Sequence, residues 1–179
     1  MEFGKTKIVL KRGDITQEEV DVIVNAANST LMGGGGVDEA IHRVGGHAIL
    51  EECVRIKQER GRCSTGEAVI TNAGQLKAKK VVHAVGPVWY GGKHNEEELL
   101  WYAYTNSLIL AKKTGAKSVA FPSISTGVFR FPVERAAKIA LMAVKDYALQ
   151  NPELEEVRFI LFSDEDFRVY QSILKSLGF

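Results

Sequence analysis

The fold is decided by the stretch VIVNAANSTLMGGGGVDEAIH, residues 22–42, in which an apolar run leads through a polar, glycine-rich connection into a helical pattern. The run Val20–Val24 is short and rich in β-branched residues, which predicts a strand. Beyond Val37, apolar residues recur every three or four positions, which predicts an amphipathic helix. Glycines let the backbone approach a bound group closely, and the first amides of a helix attract anions. The stretch is therefore typical of an anion site, with a flexible connection as the alternative interpretation.

Segments of strand length alternate with segments of helical periodicity along the whole chain. The strand predictions are Lys7–Lys11, Val20–Val24, Glu67–Thr71, Lys80–Val85, Lys117–Pro122 and Glu156–Phe162. The helix predictions are residues 37–54, kinked or split at Gly45 and Gly46, and then Asn95–Thr114, Val133–Gln150 and Asp164–Leu177. Most of the strands are apolar at consecutive positions, which favours strands covered on both faces. The sequence therefore predicts an α/β protein in which helices cover an at least partly parallel sheet.

Length and composition restrict the class of protein. The 179 residues fit a single domain over residues 1–179, because domains commonly span ~50–250 residues. A net charge of +1 argues against a general electrostatic grip on nucleic acid or on anionic membranes. The N-terminus has no signal-peptide pattern and no apolar run approaches a membrane span, so we expect a cytoplasmic protein with no membrane partner. Cys53, Cys63, His42 and His83 show no disulfide or metal-ligand spacing, so we interpret them as structural and expect no metal.

A second loop of similar character is PSISTGVFRFP, residues 122–132, which follows a predicted strand and precedes a helix. Two familiar phosphate motifs are excluded by spacing, because the glycines at 33–36 depart from GxGxxG and the separate segment 86–94 is one residue too long for a P-loop. No Lys or Arg lies between Asn25 and Glu39, so a phosphate bound there would be held by backbone amides. We expect the two loops to hold a diphosphate between them; the alternative for the second loop is an ordinary turn capped by Ser or Thr.

Several single residues suit a nucleotide site and also have ordinary structural explanations. Asp38 falls in the first turn of a helix, where it either caps the helix or faces the bound group. Asn25 and Asn28 bracket a strand end, where their amides could bind ribose hydroxyls or a water, or could form a turn. Asp14 follows the first predicted strand, where it either forms a turn or accepts a hydrogen bond from a base amino group. Phe162 ends the last predicted strand, where it either packs in the core or stacks on a base.

Five motifs occur together, in the order GDIT at Gly13–Thr16, VNAAN at Val24–Asn28, GGGGVDEAIH at Gly33–His42, HAVGP at His83–Pro87 and SISTGVF at Ser123–Phe129. In this combination the chain resembles a macro domain, from about Gly13 to the last predicted strand. The form of its glycine motif is most similar to the bacterial MacroD-like branch of O-acetyl-ADP-ribose deacetylases. The resemblance implies a three-layer α/β/α fold with a mixed, largely parallel central sheet and a cleft that binds ADP-ribose.

The resemblance also implies a place for each part of ADP-ribose. Asp14 would accept a hydrogen bond from the adenine amino group, the Ile15 amide would support the ring, and Phe162 would stack on it. Asn28 and Asp38 would reach the distal ribose. The diphosphate would lie between two groups of residues, with Gly34, Gly35, Gly36 and Val37 on one side and Ser125, Thr126, Gly127, Val128 and Phe129 on the other. Two positions depart from the family pattern, because Phe129 stands where relatives often carry tyrosine and Ser163 stands where an acidic residue is common.

The implied reaction is hydrolysis of an ester at the distal ribose, either in O-acetyl-ADP-ribose or in mono-ADP-ribose attached to an Asp or Glu side chain of a protein. It needs no metal or cofactor if Asp38 takes the proton of the attacking water while Asn28 holds that water or the ribose. The phosphate of the ligand is an alternative source of water activation. The alternative function is a reader module that binds ADP-ribose or ADP-ribosylated proteins without chemistry. A nucleic-acid-binding function is disfavoured by the net charge.

Overall fold

Seven strands form one mixed sheet in the computed structural model, which describes residues 1–177. The strands are β1 (Glu2–Phe3), β2 (Thr6–Arg12), β3 (Val20–Ala27), β4 (Ala68–Asn72), β5 (Ala78–Val85), β6 (Ser118–Phe121) and β7 (Glu156–Leu161). The helices are α1 (Val37–Gly45), α2 (His47–Arg60), α3 (Glu96–Lys113), α4 (Val133–Gln150) and α5 (Asp164–Ser176), and a 3-10 turn spans Ile15–Gln17. The strand order across the sheet is β1-β2-β7-β6-β3-β5-β4.

The five inner strands of the sheet are parallel and the two edge strands are antiparallel to their neighbours. β2, β7, β6, β3 and β5 pair in parallel, whereas β1 runs against β2 and β4 runs against β5. The carboxyl ends of β3, β5 and β6 therefore meet at one edge of the sheet, which is where ligands bind in open α/β folds. The prediction of a mixed, largely parallel sheet is confirmed.

Helices cover both faces of the sheet, and successive side chains of strand β3 point alternately into the two cores between sheet and helices. Val22 and Val24 of β3 are buried in an apolar core that they share with α3, α4 and α5. Ile23 of the same strand is buried in a second core, with Ile41 of α1 and Ile49 of α2. The three-layer α/β/α prediction is confirmed.

Most element boundaries fall within two or three residues of their predicted positions, and the differences have local reasons. The predicted split at Gly45 and Gly46 is confirmed, because Gly46 has a φ of 88° and separates α1 from α2, but α2 continues beyond the predicted end to Arg60. Strand β7 ends at Leu161, so Phe162 follows the strand instead of ending it. Strand β1 has only two residues and was not predicted, since an apolar pattern cannot be recognised in so short a segment.

Two further expectations concern cysteines and membranes. Cys53 and Cys63 are both free and buried. Burial raises the pKa of each thiol, that of Cys53 to about 12. Among residues 1–177, no helix combines the length and the apolar character needed to cross a lipid bilayer.

Candidate functional site

A cavity of about 270 Å³ lies at the carboxyl ends of β3, β5 and β6. Residues 26–28, 34–38, 86, 123–125 and 127–129 line it. Most of these residues belong to the two predicted loops, which we call the glycine loop (residues 28–36) and the serine loop (residues 122–132). The lining contains no Lys or Arg. An anion bound in this cavity therefore has to be held by main-chain and neutral polar groups.

The glycine loop is held by the side chain of its first residue. Asn28 Oδ1 accepts hydrogen bonds from the amide and the hydroxyl of Thr30, at 3.1 and 2.5 Å, and Asn28 Nδ2 donates to the Gly33 carbonyl at 2.9 Å. Leu31 takes a left-handed φ of 61° while its side chain is buried in the core beside α1. A residue other than glycine adopts such a backbone only where the surroundings impose it. The Asn28 side chain thus connects the start of the loop to the first of its four consecutive glycines.

The main-chain amides of the glycine loop end at the amino terminus of α1. Gly36 precedes the helix and provides no side-chain cap, so the first amides of α1 have no capping partner. Within residues 1–177 the amides of residues 34–37 donate to no other group. Uncommitted amides at a helix amino terminus form a site that favours negative charge.

The serine loop is anchored to two helices through hydroxyl groups. Tyr104 Oη of α3 accepts from the Ile124 amide at 3.0 Å, and Tyr170 Oη of α5 donates to Ser123 Oγ at 2.8 Å. Ser125 has a left-handed φ of 69°, and its hydroxyl lies so close to Gly86 that any side chain at position 86 would collide with it. In the described part of the chain, the amides of residues 125–129 donate no hydrogen bond. The serine loop thus offers a second group of main-chain donors to the same cavity.

Asp38 and Asn28 converge on Gly34. The Asp38 side chain is 4% exposed, and its Oδ1 accepts from Asn25 Nδ2 at 2.8 Å and lies 3.2 Å from His42 Nε2. A methyl group built on Gly34 would lie 3.3 Å from Asp38 Oδ2 and 3.1 Å from Asn28 Nδ2. One carboxylate oxygen is therefore held from behind, and the other adjoins the glycine loop at the cavity wall.

A buried polar network behind Asp38 was not predicted. Asn25 Nδ2 lies 3.0 Å from His83 Nδ1, and His83 Nε2 lies 2.9 Å from Thr71 Oγ1. Burial, aided by the nearby His42, lowers the pKa of His83 to about 4, so its imidazole is neutral at neutral pH. Asn25 and His83 are partners in the β3–β5 register, and each interrupts an apolar strand. Those interruptions were the available signal, but only the pairing of the two strands brings the residues together.

The fold also brings His42, Cys53 and His83 together, although their spacing in the sequence gave no such indication. One potential ligand atom of each lies within 4.8 Å of the other two. The Cys53 thiol has a pKa raised to about 12 by burial and by the nearby Asp38 and Glu52. Both ring nitrogens of His83 already have hydrogen-bond partners. We therefore describe the three residues as part of the polar network and assign no metal to them.

The remaining predicted residues lie outside the cavity lining. Asp14 is exposed, and its carboxylate accepts from the amide and the hydroxyl of Thr16 at 2.9 and 2.7 Å, while Ile15 is buried. Phe162 is 89% exposed and follows β7, beside the end of β2. These residues lie at the same edge of the sheet as the cavity, two strands or more from β3.

Two other predicted residues are committed to contacts within the protein. The hydroxyl of Thr126 bonds to the carbonyl and the hydroxyl of Ser123, at 3.1 and 2.9 Å. Asn25 is fully buried, and its amide group donates to Asp38 and to His83.

A second and larger depression, of about 440 Å³, adjoins the glycine loop on the side of α1 and α2. Its lining includes Gly34, His42, His47 and the ion pair formed by Glu39 and Arg43. It contains neither Asp38 nor the serine loop. We place the candidate site in the smaller cavity, because only there do two groups of free amides meet a buried carboxylate.

Comparison with known proteins gives consistent relatives. A family model described as Macro domain matches residues 24–140. The chain is 59% identical to a macro domain-containing protein of Caldanaerobacter subterraneus subsp. tengcongensis, over 97% of this chain and 98% of that protein. It is 52% identical to a protein of Escherichia fergusonii named O-acetyl-ADP-ribose deacetylase, again over 97% of this chain and 98% of the relative.

Solved structures agree with these sequence matches. A macrodomain of Oceanobacillus iheyensis with ADP superposes with a TM-score of 0.94 at 40% identity, covering 99% of this chain and 94% of that one. A Trypanosoma brucei macrodomain in complex with ADP-ribose gives a TM-score of 0.86 at 38% identity, covering 93% of this chain and 68% of that one.

Proposed function

The chain belongs to the macro-domain family, and from that premise we propose that it binds ADP-ribose between the glycine loop and the serine loop and hydrolyses esters at the distal ribose. The substrates we propose are O-acetyl-ADP-ribose and proteins that carry mono-ADP-ribose on an Asp or Glu side chain. The name of the 52% identical relative supports the first of these substrates, and the ADP-ribose complex of the related macrodomain supports binding of ADP-ribose.

The two loops suit a diphosphate that carries two negative charges. Each loop contributes a run of amides, residues 34–37 and 125–129, that are uncommitted within the described chain. The dipole of α1 adds positive potential at one end of the cavity. Because no cation lines the cavity, main-chain geometry would select the ligand, in the way that successive amides bind phosphates in other anion sites.

The adenine would lie outside the enclosed cavity, along the ends of β2 and β7. Asp14 is exposed there and could accept from the adenine amino group, and the adjacent Ile15 contributes its main chain. Phe162 has 89% of its surface free, so it can stack on a base without rearrangement. Stacking of this kind is worth ~1–3 kcal/mol per base.

The observation that carries the proposed chemistry is that one oxygen of Asp38 is bound within the protein and the other faces the glycine loop. Its Oδ1 accepts from Asn25 and adjoins His42, whereas its Oδ2 lies against Gly34 beside the Asn28 amide. Asn28 Nδ2 uses one hydrogen for Gly33, which leaves the other for a ribose hydroxyl or a water. A carboxylate oriented in this way is placed to act as a general base.

In the proposed step, Asp38 Oδ2 takes a proton from water as the water oxygen bonds to the ester carbonyl carbon. The bond from that carbon to the ribose oxygen then breaks, and the ribose oxygen receives the proton from Asp38, which returns to its carboxylate form. The products are a carboxylic acid, acetic acid in the case of O-acetyl-ADP-ribose, and ADP-ribose. No metal takes part in this scheme.

The test is the Asp38→Ala variant, assayed by acetate release from O-acetyl-ADP-ribose and by calorimetry with ADP-ribose. We expect kcat to fall by ~10²–10⁴, because that is the usual contribution of a general base, while ADP-ribose still binds. Glu39→Ala is the matched control, since it removes the next carboxylate of α1, which is half-exposed and paired with Arg43.

Full turnover by Asp38→Ala would exclude Asp38 as the base and favour activation of the water by the phosphate of the ligand. Binding of ADP-ribose by the unaltered protein without turnover of any ester would make the chain a reader module instead.

A further inference from the structure

We infer that His83 is a positioning residue for the reaction, because it orients the Asn25 amide that in turn orients Asp38. This inference rests on the proposed function, since it takes Asp38 as the base. Asn25, His83 and Thr71 are all buried, and none of them lines the cavity. Their effect on the substrate can therefore only be exerted through Asp38.

The direction of each hydrogen bond in the network follows from the Thr71 hydroxyl, which is the group farthest from Asp38 along the network. Thr71 Oγ1 donates its single hydrogen to the Asn72 carbonyl at 2.9 Å, so toward His83 it can only accept. His83 Nε2, 2.9 Å from Thr71 Oγ1, must then carry the ring proton. A neutral imidazole protonated at Nε2 has a bare Nδ1, which is an acceptor. Asn25 Nδ2, at 3.0 Å, donates to it.

The second hydrogen of Asn25 Nδ2 points to Asp38 Oδ1 at 2.8 Å. The opposite orientation of the amide would place its oxygen against the carboxylate oxygen and against the bare Nδ1, so that three acceptors would face one another. His83 thus excludes the wrong orientation of Asn25. A protonated His83 would reverse this preference, but burial keeps its pKa at about 4.

The network matters because it connects the reactive carboxylate to the rigid sheet. His42, the other group beside Asp38 Oδ1, lies on the same helix four residues further on and moves with it. Asn25 and His83 are register partners on the parallel strands β3 and β5. Misplacement of a catalytic group by about 1 Å can cost ~10²-fold in rate. The sheet therefore sets the orientation of the free oxygen, Asp38 Oδ2.

The experiment compares His83→Leu with His83→Asn. Leucine fills similar space but has no acceptor, whereas the Oδ1 of asparagine can occupy the place of the imidazole Nδ1. We expect His83→Leu to lower kcat by about 10- to 100-fold, with KM and the Kd for ADP-ribose changed less than about threefold. His83→Asn should recover most of kcat. Cys63→Ala is the control, because it removes the other buried thiol of the same apolar core, and the hydrogen bonds of Cys63 go to Ser29 and Ser64 instead of to His83.

A measurement on the unaltered protein covers the case in which His83→Leu does not fold. Long-range proton–nitrogen correlation spectra of ¹⁵N-histidine protein distinguish the protonated ring nitrogen from the bare one. We expect His83 to be protonated at Nε2 alone between pH 6 and 8; a proton at Nδ1 would overturn the inference.

The failures of the two proposals are distinguishable. If the unaltered protein hydrolyses no ester, the proposed function fails. If Asp38→Ala is inactive while His83→Leu is folded and keeps full kcat, only the role of His83 fails.

Discussion

The glycines of the glycine loop differ in what a side chain would do at each position. At Gly35, no contact or backbone angle within the protein requires a glycine. Gly36 needs glycine for its φ of 63°, and at Gly34 a methyl group would press against Asn28 and Asp38. Gly35 does not have a left-handed φ, and a methyl group built there meets no atom within 4 Å. The absence of a side chain at Gly35 is explained if a bound group passes close to the backbone.

This argument gives a prediction for Gly35→Glu. The variant should fold with an unfolding temperature close to that of the original protein, because the new side chain meets only open space. Its bulk and negative charge should weaken ADP-ribose binding at least about 100-fold, since the side chain would occupy the path of the diphosphate and its carboxylate would repel that group. Calorimetry with ADP-ribose measures the loss, and Gly35→Gln separates bulk from charge. Unchanged affinity in Gly35→Glu would show that the glycine loop only connects β3 to α1.

At the scale of elements, the connection between β5 and α3 depends on one carboxylate. The two Oε atoms of Glu96 accept hydrogen bonds from the amides of Tyr90, Gly92 and His94, at 2.8, 2.8 and 2.5 Å. Burial acts to raise the pKa of Glu96, but these amides outweigh it and lower the pKa to about 2. The same connection supports the serine loop, because the Trp89 amide donates to the Phe129 carbonyl at 2.8 Å.

Glu96→Gln should therefore loosen this connection. A glutamine side chain offers one acceptor oxygen where three amides now share two, so we expect amide hydrogen exchange at residues 90–94 to accelerate about tenfold or more. Glu97→Gln is the control, since Glu97 is exposed and its carboxylate forms a long, solvent-exposed ion pair with Arg135, at 3.9 Å. In the unaltered protein the anchor is present above pH 4.5 and is lost as the pH falls toward 2. Equal exchange rates in the two variants would contradict the assigned role of Glu96.

The elements whose bounds could be predicted from the sequence are those flanked by residues that start or end a helix. Helix α4 has its predicted bounds, because Pro132 precedes it and Asn151 and Pro152 follow it. The convergence of Asn28 and Asp38 was predictable, since both adjoin one glycine run. The network of Asn25 and His83 was not, because it depends on a strand register between residues that are 58 positions apart.

At the scale of the whole molecule, the parallel sheet decides where the chemistry is possible. The carboxyl ends of β3, β5 and β6 supply Asn28, Gly86 and the serine loop to one edge. The network behind Asp38 is a group of polar side chains buried beneath that edge, between largely apolar surroundings. A buried network that must stay neutral to keep its geometry also couples the stability of the molecule to pH. His83 is the group through which that coupling is expected.

The free energy of unfolding should fall as the pH decreases from about 6.5 to about 4. In the unfolded chain His83 binds a proton near its ordinary pKa of 6.5, whereas in the folded chain it resists protonation until about pH 4, because it is buried and faces His42 of α1. The carboxylate of Asp38 opposes the shift but is outweighed, and the neighbouring Cys53 of α2 stays a neutral thiol. The unfolded state thus binds more protons in this window, so acid favours it, by on the order of 3 kcal/mol in full.

Urea titrations at pH 7, 6 and 5 measure how the free energy of unfolding depends on pH. This range lies above the pH at which the Glu96 anchor is lost. His83→Asn should flatten it, because its amide does not titrate. His47→Asn should leave the slope unchanged, since the His47 side chain is 75% exposed and its partner Glu51 is also at the surface. If His83→Asn retains the full slope, then proton uptake in the unfolded chain occurs at other groups, and the network behind Asp38 does not connect the catalytic geometry to the stability of the fold.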